Sequence, residues 1–213
     1  MTAILDRPAA ISIRRPILVA LAAAALALAA CNRSPQQPAP SSAQAPAPAS
    51  EPATPQSPLA AAAMRGDLAQ VKALLDQGAD ANVTDALGRT PLHMAAFYNR
   101  QKTTLLLLSR NAAIDAADRA GLTPLHAAVL AGNLQEAELL LTMGADIKVT
   151  TQGKLTALHL AAATGQPDLA RLLAEKGADL RGRDAAGLTP HGYAKRNQHP
   201  VTATLLQEIA EKK

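Results

Sequence analysis

The chain contains very few aromatic residues. Among its 213 residues are one Phe, two Tyr and no Trp, so aromatic side chains make up 1% of the sequence. A globular core of this size without large rings would be unusual, because aromatic side chains dominate the energetics of most cores. Stacked pairs of Ala- and Leu-rich helices pack closely without them. The composition therefore disfavours an ordinary globular core and favours slender helices packed in a row.

Thiols and the common catalytic motifs are also scarce. The chain has a single cysteine, Cys31, and the lack of further thiols suits an oxidising compartment such as the bacterial periplasm. The sequence contains no Gly-x-Ser-x-Gly elbow, no His-Glu-x-x-His pair and no phosphate-binding loop. We therefore predict that the protein is not an enzyme and needs no cofactor.

The net charge of the chain, +4, is small and is not concentrated in one segment. Arg7, Arg14, Arg15 and Asp6 are the charged residues that precede Cys31, so the net charge from Cys31 onward is +2. A protein that binds nucleic acid shows a concentrated basic face. We therefore expect no nucleic-acid partner.

The longest apolar run extends from Ile17 to Ala30 and follows the basic pair Arg14 and Arg15. A helix that spans a membrane needs about 20 apolar residues, so this shorter run is more typical of a signal peptide. It ends in Leu-Ala-Ala before Cys31, which resembles the bacterial lipoprotein signal, in which the Cys becomes the acylated first residue. We therefore predict a lipoprotein signal peptide over residues 1–30 and lipidation of Cys31. The alternative is an uncleaved or conventionally cleaved signal with an incidental Cys.

Residues 31–56 follow the predicted cleavage site and are rich in Pro, Ala, Ser and Gln. Such a composition buries too little apolar surface to fold, and its prolines favour an extended path. We predict a disordered tether that reaches up to roughly 75 Å when fully stretched. Asn32 follows the Cys, where an Asp would resemble an inner-membrane retention signal. We therefore expect a lipid-anchored protein of the bacterial cell envelope, at the outer membrane and facing the periplasm.

The rest of the chain repeats a tetrapeptide at a constant interval. Thr-Pro-Leu-His is complete in the second and third copies and altered in the first, fourth and fifth. A Gly-Ala-Asp phrase recurs in phase with it, with Asn111 in the position of its glycine in the second copy. A period of about 33 residues is typical of a solenoid built from one supersecondary unit. The copies begin at Ser57, Thr90, Thr123, Thr156 and Thr189.

Each phrase has a mechanical explanation. Thr can cap a helix with its hydroxyl group, and Pro fits the first helical position because its missing N–H would have no partner there. A Gly such as Gly132 supplies the left-handed stop of this first helix. A second helix with paired leucines then ends at Gly-Ala-Asp, and a reversing turn leads to the next Thr. The pattern predicts an all-α fold of helix–turn–helix units joined by hairpin-like loops.

Over roughly residues 57–213 the sequence resembles the ankyrin-repeat family, because the period, Thr-Pro-Leu-His, the helix-end Gly and Gly-Ala-Asp agree in phase. The resemblance implies a solenoid of about five repeats with atypical terminal caps. Asn99 and Asn111 replace expected glycines, and Asn is the next-best residue for positive φ. Lys154 occupies a turn-glycine position, with Gly153 one place early, so we expect a different turn there.

Three histidines occupy the same position in successive repeats. The resemblance implies that His93, His126 and His159 are structural residues that tie each turn to its neighbour. Their spacing of one full repeat argues against a shared metal site, and we predict no metal. The alternative function is a lipid-tethered enzyme or metal-binding protein that uses these histidines.

An ankyrin stack generally binds a protein partner in a groove lined by turn tips and first helices, and we expect the repeat domain to be monomeric. Phe97, the only Phe of the chain, lies beside Tyr98 at groove positions. They either fill a gap or anchor a partner, since aromatic residues and Arg dominate interface hot spots. A uniformly polar groove would instead have favoured a structural spacer. The groove positions that the resemblance implies are Leu87, Arg89, Arg119, Leu122, Leu155 and Leu188 on the turn tips and Phe97, Tyr98 and Leu130 on the first helices.

Overall fold

The computed structural model describes residues 57–212, which form five consecutive helix pairs and contain no β-strand. The predicted signal peptide, Cys31 and the tether lie outside the described residues. The prediction of an all-α stack of helix pairs is confirmed. The first helices of the pairs are α1 (Pro58–Arg65), α3 (Pro91–Phe97), α5 (Pro124–Ala131), α7 (Ala157–Ala163) and α9 (Pro190–Arg196). The second helices are α2 (Leu68–Asp76), α4 (Gln101–Ser109), α6 (Leu134–Thr142), α8 (Pro167–Glu175) and α10 (Pro200–Lys212).

The first helices begin where the tetrapeptide predicts. In every repeat the Ser or Thr of the motif accepts a hydrogen bond from the backbone N–H three residues later, and thereby satisfies a donor that the helix leaves free. In the three central repeats the motif His completes a reciprocal capping box, because its ring accepts a bond from the N–H of the capping Thr. The motif thus fixes the start of each repeat through local hydrogen bonds.

The end of each first helix requires a left-handed residue. Gly66 and Gly132 have φ angles of 74° and 79°, and Asn99 takes this role in the second repeat with φ 55°. Asn111, in the glycine position of the Gly-Ala-Asp phrase, has φ 61°. Both substitutions follow the expectation that Asn replaces Gly where φ is positive.

The turn around Lys154 corrects one prediction. Lys154 adopts φ 58°, so it takes the left-handed conformation that Gly121 takes in the previous turn, with φ 79°. The N–H of Lys154 donates to the Thr151 carbonyl at 2.8 Å, as the N–H of Gly121 donates to the Asp118 carbonyl at 2.9 Å. The expected change of turn is therefore wrong. The neighbouring repeats impose the common turn, and the lysine accepts an unfavourable backbone conformation.

The buried apolar residues form two clusters. The amino-terminal cluster joins repeats one and two, and the carboxy-terminal cluster joins repeats three to five and includes Ala96 of α3. Successive first helices pack against one another throughout, but α4 and α6 approach each other less closely than the other neighbouring second helices. The core is therefore discontinuous between the second helices of repeats two and three.

Polar side chains fill this break, which we call the polar seam: Thr103, Thr104 and Glu136, all at most 1% exposed. The Thr104 hydroxyl donates to Oε1 of Glu136, whereas Oε2 has no partner among the described residues. Burial raises the pKa of Glu136 to about 7. In the next repeat the equivalent position holds Leu169, which is 2% exposed and belongs to the apolar core. The seam thus replaces apolar packing with a single hydrogen bond.

Candidate partner-binding groove

The turn tips of successive repeats are joined by backbone hydrogen bonds. The N–H of Arg119 donates to the Leu87 carbonyl at 2.9 Å, which ties the tip before repeat two to the tip before repeat three. Equivalent bonds of 3.0 Å join Gln152 to Ala120 and Ala185 to Gly153. These bonds hold the tips in register, so side chains at the same tip position lie next to one another.

A cavity of about 290 Å³ opens between the first two of these tips and helices α3 and α5. Six of the nine residues that the sequence places in the groove line this one cavity: Leu87, Arg89, Phe97, Tyr98, Leu122 and Leu130. The remaining lining residues are His93, Met94, Asp118 and Ala127.

The two aromatic residues stand at the wall of the cavity. Phe97 is half-buried and Tyr98 is 44% exposed, and their rings meet edge to face with centroids 5.2 Å apart. Neither residue belongs to the two core clusters. Leu87, on the facing turn tip, is 54% exposed. Three apolar side chains around the cavity therefore leave substantial surface uncovered.

The two arginines differ in role. Arg89 forms an ion pair with Asp85, with Nη2 2.7 Å from Oδ2, so its charge is compensated within its own turn. Arg119 is exposed and does not line the cavity, although its backbone ties the two tips together. Leu155 and Leu188 are half-buried on later tips, and they also lie outside the lining of this cavity.

The rings of His93 and His159 each bind backbone groups of two different turns. Nδ1 of His93 accepts the N–H of Thr90, so Nε2 carries the proton and donates to the Leu122 carbonyl at 2.9 Å. His159 binds the Leu188 carbonyl in the same way at 3.2 Å. Burial lowers the pKa of both rings, which keeps them neutral. Each ring thus links its own helix start to the following turn.

His126 differs from the other two. Its Nδ1 accepts the N–H of Thr123, but its Nε2 has no hydrogen-bond partner in the described part of the chain. The Leu155 carbonyl, which stands where Leu122 and Leu188 stand in the other turns, lies near the ring but outside hydrogen-bonding geometry with Nε2. Burial nevertheless lowers the pKa of His126 to about 4. The link from helix to turn is therefore weakest at this repeat.

Two features of residues 57–212 concern metal binding and the membrane. Within this range no three His, Cys, Asp or Glu side chains come close enough together to hold a metal ion. None of the helices in the same range is both long enough and apolar enough to cross a membrane.

Sequence reasoning did not identify Asp118 and Ala127 as cavity residues. Asp118 resembles an ordinary turn residue, because Asp commonly accepts backbone N–H groups two residues on, and Ala127 lies within an Ala-rich helix. Tyr193 stands two repeats after Ala127 at the same position of the repeat. The position of Asp118 and Ala127 relative to Tyr193 was therefore the signal that the sequence offered. The comparison between repeats therefore carried information that the motif alone did not.

Fold and cavity together define a helical repeat protein with a partly apolar groove. A family model for ankyrin repeats, in three copies, matches residues 59–151 and 138–213. The chain belongs to the ankyrin-repeat family, whose repeats form protein–protein interaction modules and are typically non-enzymatic. No curated protein matches the chain at a significant level.

Proposed function

We propose that this protein is a membrane-anchored interaction module of the bacterial cell envelope, whose groove binds a polypeptide partner at repeats two and three. One observation supports the groove part of the proposal: six residues from separate turns and helices line one partly apolar cavity. Exposed apolar patches of this kind commonly mark binding sites on proteins.

The composition of the cavity matches the centre of a protein interface. Phe97 and Tyr98 supply rigid aromatic surface, and Leu87 and Leu130 extend it on either side. Aromatic residues are enriched at interface cores, where a few of them account for most of the binding energy. Because Leu87 and Tyr98 are largely exposed in the free protein, a partner would gain stabilisation by covering them.

The groove is tested by replacing Phe97 and Tyr98 with Ala and measuring partner capture by crosslinking in intact cells. We expect binding to weaken by at least about 2 kcal/mol, the usual threshold of a hot spot. Leu105→Ala is the matched control, because Leu105 is 43% exposed on α4 and does not line the cavity. If Leu105→Ala weakens capture as much as the aromatic pair, the binding site lies elsewhere.

The melting temperature of the double variant separates binding from folding. Both aromatic residues lie outside the core clusters, so we expect the variant to remain folded. A melting temperature many degrees lower, with a loss of capture in proportion to unfolding, would show that the pair only fills space.

The membrane anchor rests on the sequence around Cys31. Cys31→Ser should abolish acylation, because the lipid would be attached at that sulfur, and the protein should then leave the membrane fraction or stall before processing. Fractionation of cells that produce the variant measures this directly. A full-length Cys31→Ser protein that remains in the membrane fraction would contradict the anchor, while leaving the groove proposal intact.

A further inference from the structure

Repeat five contains a site that is occupied by a tyrosine side chain of the same repeat. The Tyr193 hydroxyl donates to Oδ2 of Asp184 at 2.6 Å. Its ring stands edge-on to His159, with centroids 5.9 Å apart and an interplanar angle of 87°. The guanidinium carbon of Arg196 lies 4.9 Å from the ring centroid. An aspartate, a histidine and an arginine of the same helix thus contact one half-buried phenol side chain.

The same site recurs two repeats earlier without its tyrosine. In the register of the repeats, Asp118 corresponds to Asp184, His93 to His159 and Ala127 to Tyr193. All three of the earlier residues line the 290 Å³ cavity. The position that carries a phenol ring in repeat five therefore carries only a methyl group in repeat three.

Asp118 retains an unused acceptor in this cavity. Its Oδ1 accepts the N–H groups of Ala120 and Leu122, each at 2.8 Å, whereas its Oδ2 has no hydrogen-bond partner in the described part of the chain. In the two sister turns the equivalent oxygen is bound: Arg89 binds Oδ2 of Asp85, and Tyr193 binds Oδ2 of Asp184.

The side chains that line the cavity determine whether a guanidinium donor or a phenol donor fits it better. Met94, Phe97 and Leu130 line the same cavity as Ala127 and give it apolar walls. The charge of Arg89 is compensated by Asp85, and a partner guanidinium would have to lose its hydration against these apolar walls without a second acceptor beside Asp118. A phenol is neutral, fits apolar walls along its ring and carries a single donor for a carboxylate.

We infer that the cavity binds a tyrosine side chain of the partner, with the phenol ring over Ala127 and its hydroxyl donating to Oδ2 of Asp118. The inference rests on the proposed groove function and specifies the residue that the groove reads. The tyrosine of the partner takes the position in this cavity that Tyr193 takes within repeat five.

The binding test uses small molecules that represent single side chains. p-Cresol represents Tyr, toluene represents Phe and n-propylguanidinium represents Arg, and each is titrated into the purified protein while backbone amide shifts are recorded by NMR. We expect p-cresol to shift the amides around Leu87, Tyr98 and Leu122 saturably. Toluene should bind roughly tenfold more weakly, because it lacks the hydrogen bond to a charged acceptor.

Two variants locate the contact. Asp118→Asn keeps a carbonyl oxygen for the turn, but it presents an N–H group or a weaker acceptor to the cavity, so p-cresol affinity should fall to that of toluene. Ala127→Tyr copies the arrangement of repeat five and should close the cavity, with loss of p-cresol binding and no loss of melting temperature. Asp118→Asn combined with Ala127→Tyr should then melt lower than Ala127→Tyr alone.

Three results would overturn the inference. They are the absence of p-cresol shifts at the cavity, equal affinity for p-cresol and toluene in both wild type and Asp118→Asn, and tighter binding of n-propylguanidinium than of p-cresol. None of these results affects the proposed groove function, which is tested by partner capture with the Phe97 and Tyr98 variant. The tyrosine inference and the groove function can therefore fail separately.

Discussion

His93, His126 and His159 occupy one position in three successive repeats, yet their rings are not bound alike. His93 and His159 reach a carbonyl in the following turn, whereas Nε2 of His126 has no partner in the described residues. The sequence predicts the same structural role for all three. The turn that His126 faces differs in sequence from the other two, because it has Lys154 at the left-handed position and Thr151 in place of the turn aspartate.

This difference gives a first prediction. His93→Ala should lower the free energy of unfolding by about 1 kcal/mol more than His126→Ala, because only His93 loses a bond to the following turn. Both substitutions remove a ring of the same size from a buried site, so His126→Ala controls for the cavity. Urea denaturation measures the two values, and equal values would contradict the proposed difference in binding.

Glu136 gives a second prediction at this scale. Its ordinary pKa of 4.5 rises to about 7 in the folded protein, so its contribution to stability is full below pH 4.5 and is lost as the pH rises through 7. Glu136→Leu should therefore stabilise the protein more at pH 8 than at pH 4.5, with a pH-dependent part of roughly 3 kcal/mol. Leu169 shows that leucine fits the equivalent position.

The measurement is a series of melting curves of wild type and Glu136→Leu between pH 4.5 and 8. The buried histidines titrate in both proteins, so their effect cancels in the difference between the two. A difference in stability that does not vary with pH would show that Glu136 does not ionise in the seam.

Among the elements, the turns show that packing between repeats can hold a residue in a backbone conformation that it does not favour. Asp118 in one turn and Thr151 in the next accept an N–H from the residue four positions later. The left-handed position follows in each turn, and three of its four occupants are glycines. Lys154 is the fourth, and a lysine there carries a steric cost that glycine avoids. The hydrogen bonds of the turn and those to the adjacent tips maintain the conformation.

Lys154→Gly should therefore stabilise the protein. We expect a gain of about 0.5–1 kcal/mol, since glycine removes the steric cost of the left-handed conformation but adds freedom to the unfolded chain. Gly121→Ala is the converse control and should destabilise, because a Cβ there would lie 2.9 Å from the backbone nitrogen of Gln152. Thermal melting of both variants provides the measurement, and a lower melting temperature for Lys154→Gly would contradict the prediction.

The starts of the first helices and six of the residues that line the cavity were predictable from the sequence, because both depend on the register of the repeats. Thr123, for example, caps its helix through a bond to a residue three positions away, which is a purely local relation. The polar seam was not predictable, since Glu136 is a charged residue on a short helix and such residues are usually exposed. Its burial depends on what α4 presents across the interface. The free Oδ2 of Asp118 could be found only by comparing repeats, because Leu122 and Ala127 stand where Arg89 and Tyr193 bind the sister aspartates.

In the molecule as a whole, the division of the core predicts unequal stability along the stack. Each repeat contacts only its neighbours, so the stability of the array is set by the interfaces between them. The amino-terminal cluster is the smaller, and the polar seam gives it little apolar contact with the second helices beyond it. We therefore expect repeats one and two to open more often than repeats three to five.

Hydrogen exchange followed by mass spectrometry tests this expectation. Amides of α2 and α4 should exchange faster than those of α6 and α8 at neutral pH. Glu136→Leu should reduce the difference, because it restores apolar contact across the seam. Equal protection of the four helices in the wild-type protein would show that the stack opens as one cooperative unit.

The polar seam also has a mechanical consequence. A tensile force applied between the ends of a linear stack passes through every interface in series, so the weakest interface determines the load at which the stack yields. The groove cavity and the seam belong to the same interface, between repeats two and three. A segment that is bound across the cavity would therefore bridge the same interface that the seam interrupts, and would share the load across it.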